Sequence, residues 1–390
     1  MRAVTKYSFA AAVLAAAAMA AALSLTPAFG LLQPAHAGSF VCGQVLTGGA
    51  FVLDGDVGPC DDSTGPGLTV TGPATLDMAG FKVFCADTDL NGKLPTGILI
   101  NGGLAIVKSG KVEGCAKGVQ AAGTGEHEIK LVAAENNTTG FVAGSQKNHF
   151  FQNTASGNLE DGFLMSKSRN VLSRNTATGN SGAGFHLESA NNQALENTAT
   201  ANGGAGFFST ARKNKVRFNT ASGNTGPGFF VQSDRNRVRD NAADGNGAEG
   251  LRVEGVRNFV LTNTASNNSA DGILANGGAF EIEINTVTGN GGNGITINGG
   301  SHNELENNTI SGNAGDGILL TATAISTEVF ENISSTNGGA GINVAGSASV
   351  LRRNTAQGNT GFDAADQNPD CDDNVWQNNT FGTVSQSCIK

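Results

Sequence analysis

The stretch Arg174 to Phe185, RNTATGNSGAGF, decides the fold, because close copies of it recur through most of a 390-residue chain. A Gly stands at the place of Gly184 at 97, 118, 140, 162, 184, 206, 228, 250, 272, 294, 317 and 341. The spacing is 21, then 22 eight times, then 23 and 24. A period this constant marks one structural unit stacked on itself. After each Gly, inward apolar residues alternate with outward ones, as in Phe185-His186-Leu187, Leu251-Arg252-Val253 and Ile295-Thr296-Ile297. That is the period-two signature of a short strand with one buried face. A second inward column runs through Leu172, Ala194, Val216, Val238, Val260, Ile282, Leu305, Val329 and Leu351, and the quoted NTAT adds a third strand with Ala177 inward.

Three short strands and three turns in one period leave no room for hairpins, so each strand must pair with its counterpart one period later. The expectation is an all-β fold: a right-handed parallel β-helix, a solenoid of about 12 coils of about 22 residues. Helical solenoids have longer repeats, and Gly, Asn and Thr at these densities are poor helix residues. The hexapeptide rhythm of a left-handed β-helix is absent. Stacking places every recurring residue on its own copy, about 4.8 Å away. Two asparagine ladders follow, one from Asn153 to Asn354 and one from Asn158 to Asn359, in which each amide can donate and accept along the axis. Phe141, Phe163, Phe185, Phe207 and Phe229 should stack inside.

Residues 1–37 read as a cleaved secretory signal: Arg2 and Lys6 precede an apolar run from Phe9 to Leu25, and a small-x-small site ends at Ala37. No later segment is apolar enough to span a bilayer, and the expected location is secreted or periplasmic. Arg2 and Lys6 are the only charged residues of the signal, so its loss leaves 22 basic against 33 acidic residues, a net charge of −11. A general nucleic-acid binder would not carry that balance. Six Cys in an exported chain favour three disulfides. The expected pairs are Cys42 with Cys60, Cys85 with Cys115, and Cys371 with Cys388. They would protect exposed strand edges at an N-terminal cap with first coils (38–96) and a C-terminal cap (362–390), flanking repeats over 97–361. Trp376 is expected over the last coil.

With its Gly-Phe-x-Leu coil, the opening CGQVLTGGAFVLDGD, the TLDMAGFKV coil and a Cys-closed tail, the chain resembles the secreted right-handed parallel β-helix proteins of the pectin-lyase-like fold. The resemblance implies that fold over essentially the whole mature chain. It implies no single activity, since the fold hosts lyases, polygalacturonases, epimerases and adhesins. The catalytic signatures of such relatives (a Gly-His-Gly near an Arg-x-Lys, or an Asp-Pro-His) do not occur, and the mature chain's Met78 and Met165 do not suit copper loading.

Function must then reside in outward positions, which vary. Nine of the 22 mature basic residues fall between Arg212 and Arg257. Lys215 should stack on Arg237 and Arg217 on Arg239, like charges that folding does not ask for. They are read as a docking strip for an extended anionic polysaccharide; the alternative is a solvated face partly neutralised by Asp234, Asp240, Glu249 and Glu254. Phe208 and Phe230 share an outward column with His186 and Arg252, where a sugar ring could stack beside a cation. The same second-strand columns then turn acidic, with Glu281, Glu304 and Glu328 in one and Glu283 and Glu306 in the next. The expectation is a monomeric binding or surface-interaction module without identified catalytic residues, metal or cofactor. The enzymatic alternative is a polyuronate lyase or C5-epimerase in which Arg217, Arg239 or Arg252 works near Ca²⁺. A minor alternative is an ice-binding face built from the Thr-x-Thr/Ser array of Thr176/Thr178 and its copies.

Overall fold

A computed structural model describes residues 36–37, 39–88 and 90–389. The signal expected at the N-terminus lies outside the described residues but for His36 and Ala37, whose short strand pairs with Phe51 and Val52. The described chain winds as a right-handed parallel β-solenoid of about 15 turns, with no α-helix among the described residues. The estimate of 12 coils was low because the count rested on the Gly period. Two N-terminal coils, built on Gln44–Val52 and Leu68–Asp77, pair in parallel with a register shift between Thr47 and Gly49 and follow longer, irregular spacings. The last coil places Asp363 where its predecessors have Gly.

Each regular coil contributes one strand to each of three sheets. In one coil these are Phe185–Leu187, Gln193–Leu195 and Thr198–Thr200, and each pairs in parallel with the strand 22 residues later. We call them sheets one, two and three. The interior is filled by complementary sizes. On sheet one the Phe rings stack at 4.7 to 4.9 Å between centroids from Phe141 to Phe229. Opposite them, sheet three supplies only Ala155, Ala177, Ala199, Ala221 and Ala243. Where sheet one falls to Ile273 and Ile295, sheet three grows to Val287 and Ile310, keeping the cross-section filled.

The recurring Gly is required by contact rather than by backbone angle. A Cβ on Gly184 would stand 2.8 Å from Gly206 O and 2.9 Å from Asn202 Nδ2. The corners are instead turned by left-handed residues, such as Glu196 (φ 55°), Ala201 (φ 54°) and Lys213 (φ 61°), each directly before a buried Asn. Asn197 shows how that Asn supports the corner. Its Nδ2 donates to Leu172 O and Asn219 Oδ1, both at 3.0 Å, while its Oδ1 accepts from the backbone and side chain of Asn175. Both expected ladders run this way, and a third exists that sequence reading missed: Asn148, Asn170, Asn192, Asn214, Asn236 and Asn258 at the corner before sheet two. His127 heads it.

The three expected disulfides are present, with Cα separations of 5.4, 4.9 and 6.0 Å. Trp376 continues the inward column beyond Leu351, donates from Nε1 to Asp366 Oδ2 at 2.9 Å and meets Phe381 edge-on. No helix of the described residues is long and apolar enough to cross a membrane.

Candidate functional site

The charged residues singled out in the sequence sort onto two different sheets. Lys215, Arg217, Arg237 and Arg239 are the outward residues of consecutive sheet-two strands, paired in register as expected. Phe208, Phe230 and Arg252 lie on sheet one, also in register. The two groups do not form one patch.

On sheet one the expected sugar platform is already occupied. His186 stacks on Phe208 with centroids 4.7 Å apart, Phe208 stacks on Phe230 at 5.0 Å, and the Arg252 guanidinium covers Phe230 at 4.9 Å. One coil of rise equals one ring-stacking distance, so each ring hides the face of the next and leaves an edge to solvent. Arg252 is further held by Glu254 at 2.7 Å and Glu249 at 3.9 Å. At the head of the column His186 Nδ1 meets Asp161 Oδ2 at 2.8 Å, and Asp161 Oδ1 accepts from Ala183 N. Asp316 repeats this clasp on Asn343 and Ala340, which marks it as a device of the coil.

On sheet two the cations enclose open space. A cleft of about 460 Å³ is lined by Lys213, Lys215, Arg235, Arg237, Arg257 and Phe259. A second of about 310 Å³ continues past Arg217, Arg239 and Leu261 to Glu281. Lys213, Arg235 and Arg257 occupy successive left-handed corner positions, which throw their side chains outward beside the strand residues. Among the described residues none of Lys213, Lys215, Arg217, Arg235, Arg237 and Arg257 forms an ion pair, while Arg239 reaches Asp240 at 2.8 Å. Phe259 was overlooked as a site residue, although its place 22 residues after Arg237 was a readable signal.

Beyond Phe259 and Leu261 the face turns acidic. Glu281, Glu304 and Glu328 stack in register, beside Glu283 and Glu306. Partial burial and then neighbouring glutamates hold the carboxyls of Glu281, Glu283 and Glu306 above their ordinary range; Arg237 draws Glu281 back. Among the described residues no group of three His, Cys, Asp or Glu side chains could hold a metal ion. The Thr array lies on sheet three in register and is interrupted at Ala242, Asp244 and Ile333.

A parallel solenoid with an open charged face is the class of protein these features define. Residues 96–243 and 228–381 match the right handed beta helix region family, and the chain belongs to it. Among solved structures it is similar to the A-module of the Azotobacter vinelandii mannuronan C-5 epimerase AlgE6, with TM-score 0.52 and 15% identity over 83% of this chain and 91% of that one. The AlgE4 A-module of the same organism gives TM-score 0.42 and 16% identity over 89% and 91%. A periplasmic alginate epimerase, AlgG, gives 0.48 and 14% over 80% and 78%. At these identities the likeness is one of fold. No curated protein matches the chain.

Proposed function

We propose that this protein is an exported binding module for an extended anionic polysaccharide, which lies along sheet two over Lys215, Arg217, Arg237 and Arg239. Lys213, Arg235 and Arg257 flank the chain, and Phe259 closes the basic segment. The observation that carries the reading is the open cleft of about 460 Å³ whose five cations have no ion-pair partner among the described residues. On a scaffold of net negative charge, cations stacked one coil apart repel, by about 1 kcal/mol or less when solvated, and a bound polyanion removes that repulsion. The coil repeat of about 4.8 Å is near the length of one sugar unit, so successive carboxylates can meet successive coils. The similar solved structure at TM-score 0.52 is itself named a mannuronan epimerase. Three disulfides fit an oxidising, extracytoplasmic compartment.

The test is retention on alginate, pectate and a neutral glucan, for the protein and for a variant carrying K215A, R217A, R237A and R239A. Salt-sensitive retention on the two polyuronates alone, lost in the variant, is expected. Equal behaviour of both proteins on all three matrices overturns the proposal. Turnover in the same incubations, read as unsaturated product absorbing in the ultraviolet, would reassign the protein to the polyuronate lyases.

A further inference from the structure

Sheet two carries a charge pattern that is its own complement. Taking Phe259–Leu261 as the centre, the two preceding strands present Lys215, Arg217, Arg237 and Arg239, and the two following present Glu281, Glu283, Glu304 and Glu306. We propose that a second copy of this chain docks on this face, antiparallel, about a two-fold axis that runs along the Phe259–Leu261 strand.

Such an axis reverses the solenoid direction and leaves position along the strand unchanged, so every column faces itself with its order inverted. Arg237 then opposes the partner's Glu281, Lys215 the partner's Glu304, Arg239 the partner's Glu283 and Arg217 the partner's Glu306. Phe259 and Leu261 meet their own copies at the centre. Farther out the match is apolar in one column at a time: Leu195 lies three strands before the axis and Phe330 three strands after, and Val171 and Val350 are related in the same way four strands out, while Glu328 faces the partner's Gln193 and Arg352 the partner's Ser173. All eight central charges find the opposite sign. At the border Arg257 faces its own copy, a repulsion that its exposed corner position lets the side chain avoid by swinging into solvent.

Two further observations favour a second copy over another partner. A polyanion would cover only the basic half of the face and a polycation only the acidic half, whereas an inverted copy covers both. The corner after sheet two also exposes Phe218 by 53% and Ile284 by 56%. Phe218 lies two coils before the axis and Ile284 one coil after, so the two-fold brings each within one coil of the other on the partner. The strands are short and the face narrow, so the dimer is weak and steered by charge. It also covers the basic cleft, and polysaccharide and self-association exclude each other.

Sedimentation velocity of the purified protein over a concentration series tests this, at low salt and again near 0.5 M, where a Debye length of only a few ångströms screens the contacts. A concentration-dependent dimer that dissociates in salt is expected. In the column that runs from Lys215 to Glu304, K215E/R237E makes the four central charges all acidic and E281K/E304K makes them all basic, while the Arg217-to-Glu306 column keeps its pattern. Each alone should dimerise at least about tenfold more weakly, and an equimolar mixture should form a heterodimer, which also shows that both variants are folded. A protein monomeric at every concentration in low salt, or variants that dimerise alone as the parent does, or a mixture that stays monomeric, overturns the proposal. E281K/E304K keeps the basic cleft, so its retention on alginate reports the polysaccharide reading separately from the dimer.

Discussion

The Arg237 guanidinium sits 5.3 Å from the centroid of the Phe259 ring, its partner in register one coil later. This contact lies on the line where sheet two changes from basic to acidic. Phe259 differs from Phe208 and Phe230 because it does not belong to a continuous column of rings: Arg237 precedes it and Glu281 follows. Cation–π contacts at exposed sites contribute about 0.5 to 1 kcal/mol, and the ring also limits how Arg237 can point. Phe259→Leu should therefore weaken alginate retention by about two- to fivefold, read as a shift in eluting salt. Phe230→Leu should leave retention unchanged. The reverse ranking would move the glycan surface to sheet one.

Asn197 is 1% exposed and joins three coils through its side chain. Asn197→Ala removes the acceptor of the buried Asn175 backbone N–H and the side-chain bond to Leu172 O, and leaves Asn219 Oδ1 with only the N–H of residue 197 and Asn175 Nδ2 with only Phe150 O; a buried polar group left without a partner costs about 1 to 3 kcal/mol. The expected loss is about 3 kcal/mol or more, measured by urea unfolding. Hydrogen exchange should rise first at the corners around residues 175, 197 and 219. Thr198→Ala, one position later on an outward face, is the control and should change stability by less than about 0.5 kcal/mol. A ladder variant as stable as this control would contradict the account of the corners.

His127 fills the place of an Asn at the head of the third ladder. Its backbone N–H donates to Asn148 Oδ1, its Nδ1 accepts from Ala105 N at 3.2 Å, and its Nε2 donates to Ala122 O at 2.7 Å. Burial holds its pKa below the ordinary 6.5, with the Ala122 bond opposing weakly. A proton on Nδ1 would face the Ala105 N–H. Because the folded pKa is depressed, this contribution to stability is complete above about pH 6.5 and is lost as pH falls through the lowered value. His149, also lowered chiefly by burial, acts in the same direction. Glu281, Glu283 and Glu306, raised by burial and by one another, act oppositely. The variant comparison therefore isolates His127: His127→Asn extends the ladder and should flatten the fall of the unfolding midpoint between about pH 7 and 5. Identical slopes in the two proteins would exclude His127 as the acid-sensitive group.

Much of this architecture was legible because a solenoid makes distant contacts periodic in sequence. Lys215 over Arg237 and the Phe141-to-Phe229 stack follow once the period is known, and the pairing of Cys85 with Cys115 follows because each stands five residues after a Gly, Gly80 and Gly110. The coil count fell short where the period breaks, at the two N-terminal coils and at Asp363. The third asparagine ladder was present in the letters at the same 22-residue spacing, at Asn148, Asn170 and Asn192, and the period that marked the other two marks it as well. Phe208 and Phe230 were correctly placed outward, but their ring faces are consumed by their own column.

What the amino-acid order determined alone is the vertical direction: which residue lies above which, and so the inward columns, the ladders, the disulfides and the alternation of charge along each file. Lateral relations were decided only in three dimensions, because the angle at each corner depends on a left-handed residue and the Asn beneath it rather than on any period. That geometry turned the column of Phe230 and Arg252 onto a different face from that of Arg237, and brought Lys213, Arg235 and Arg257 beside the basic strand residues.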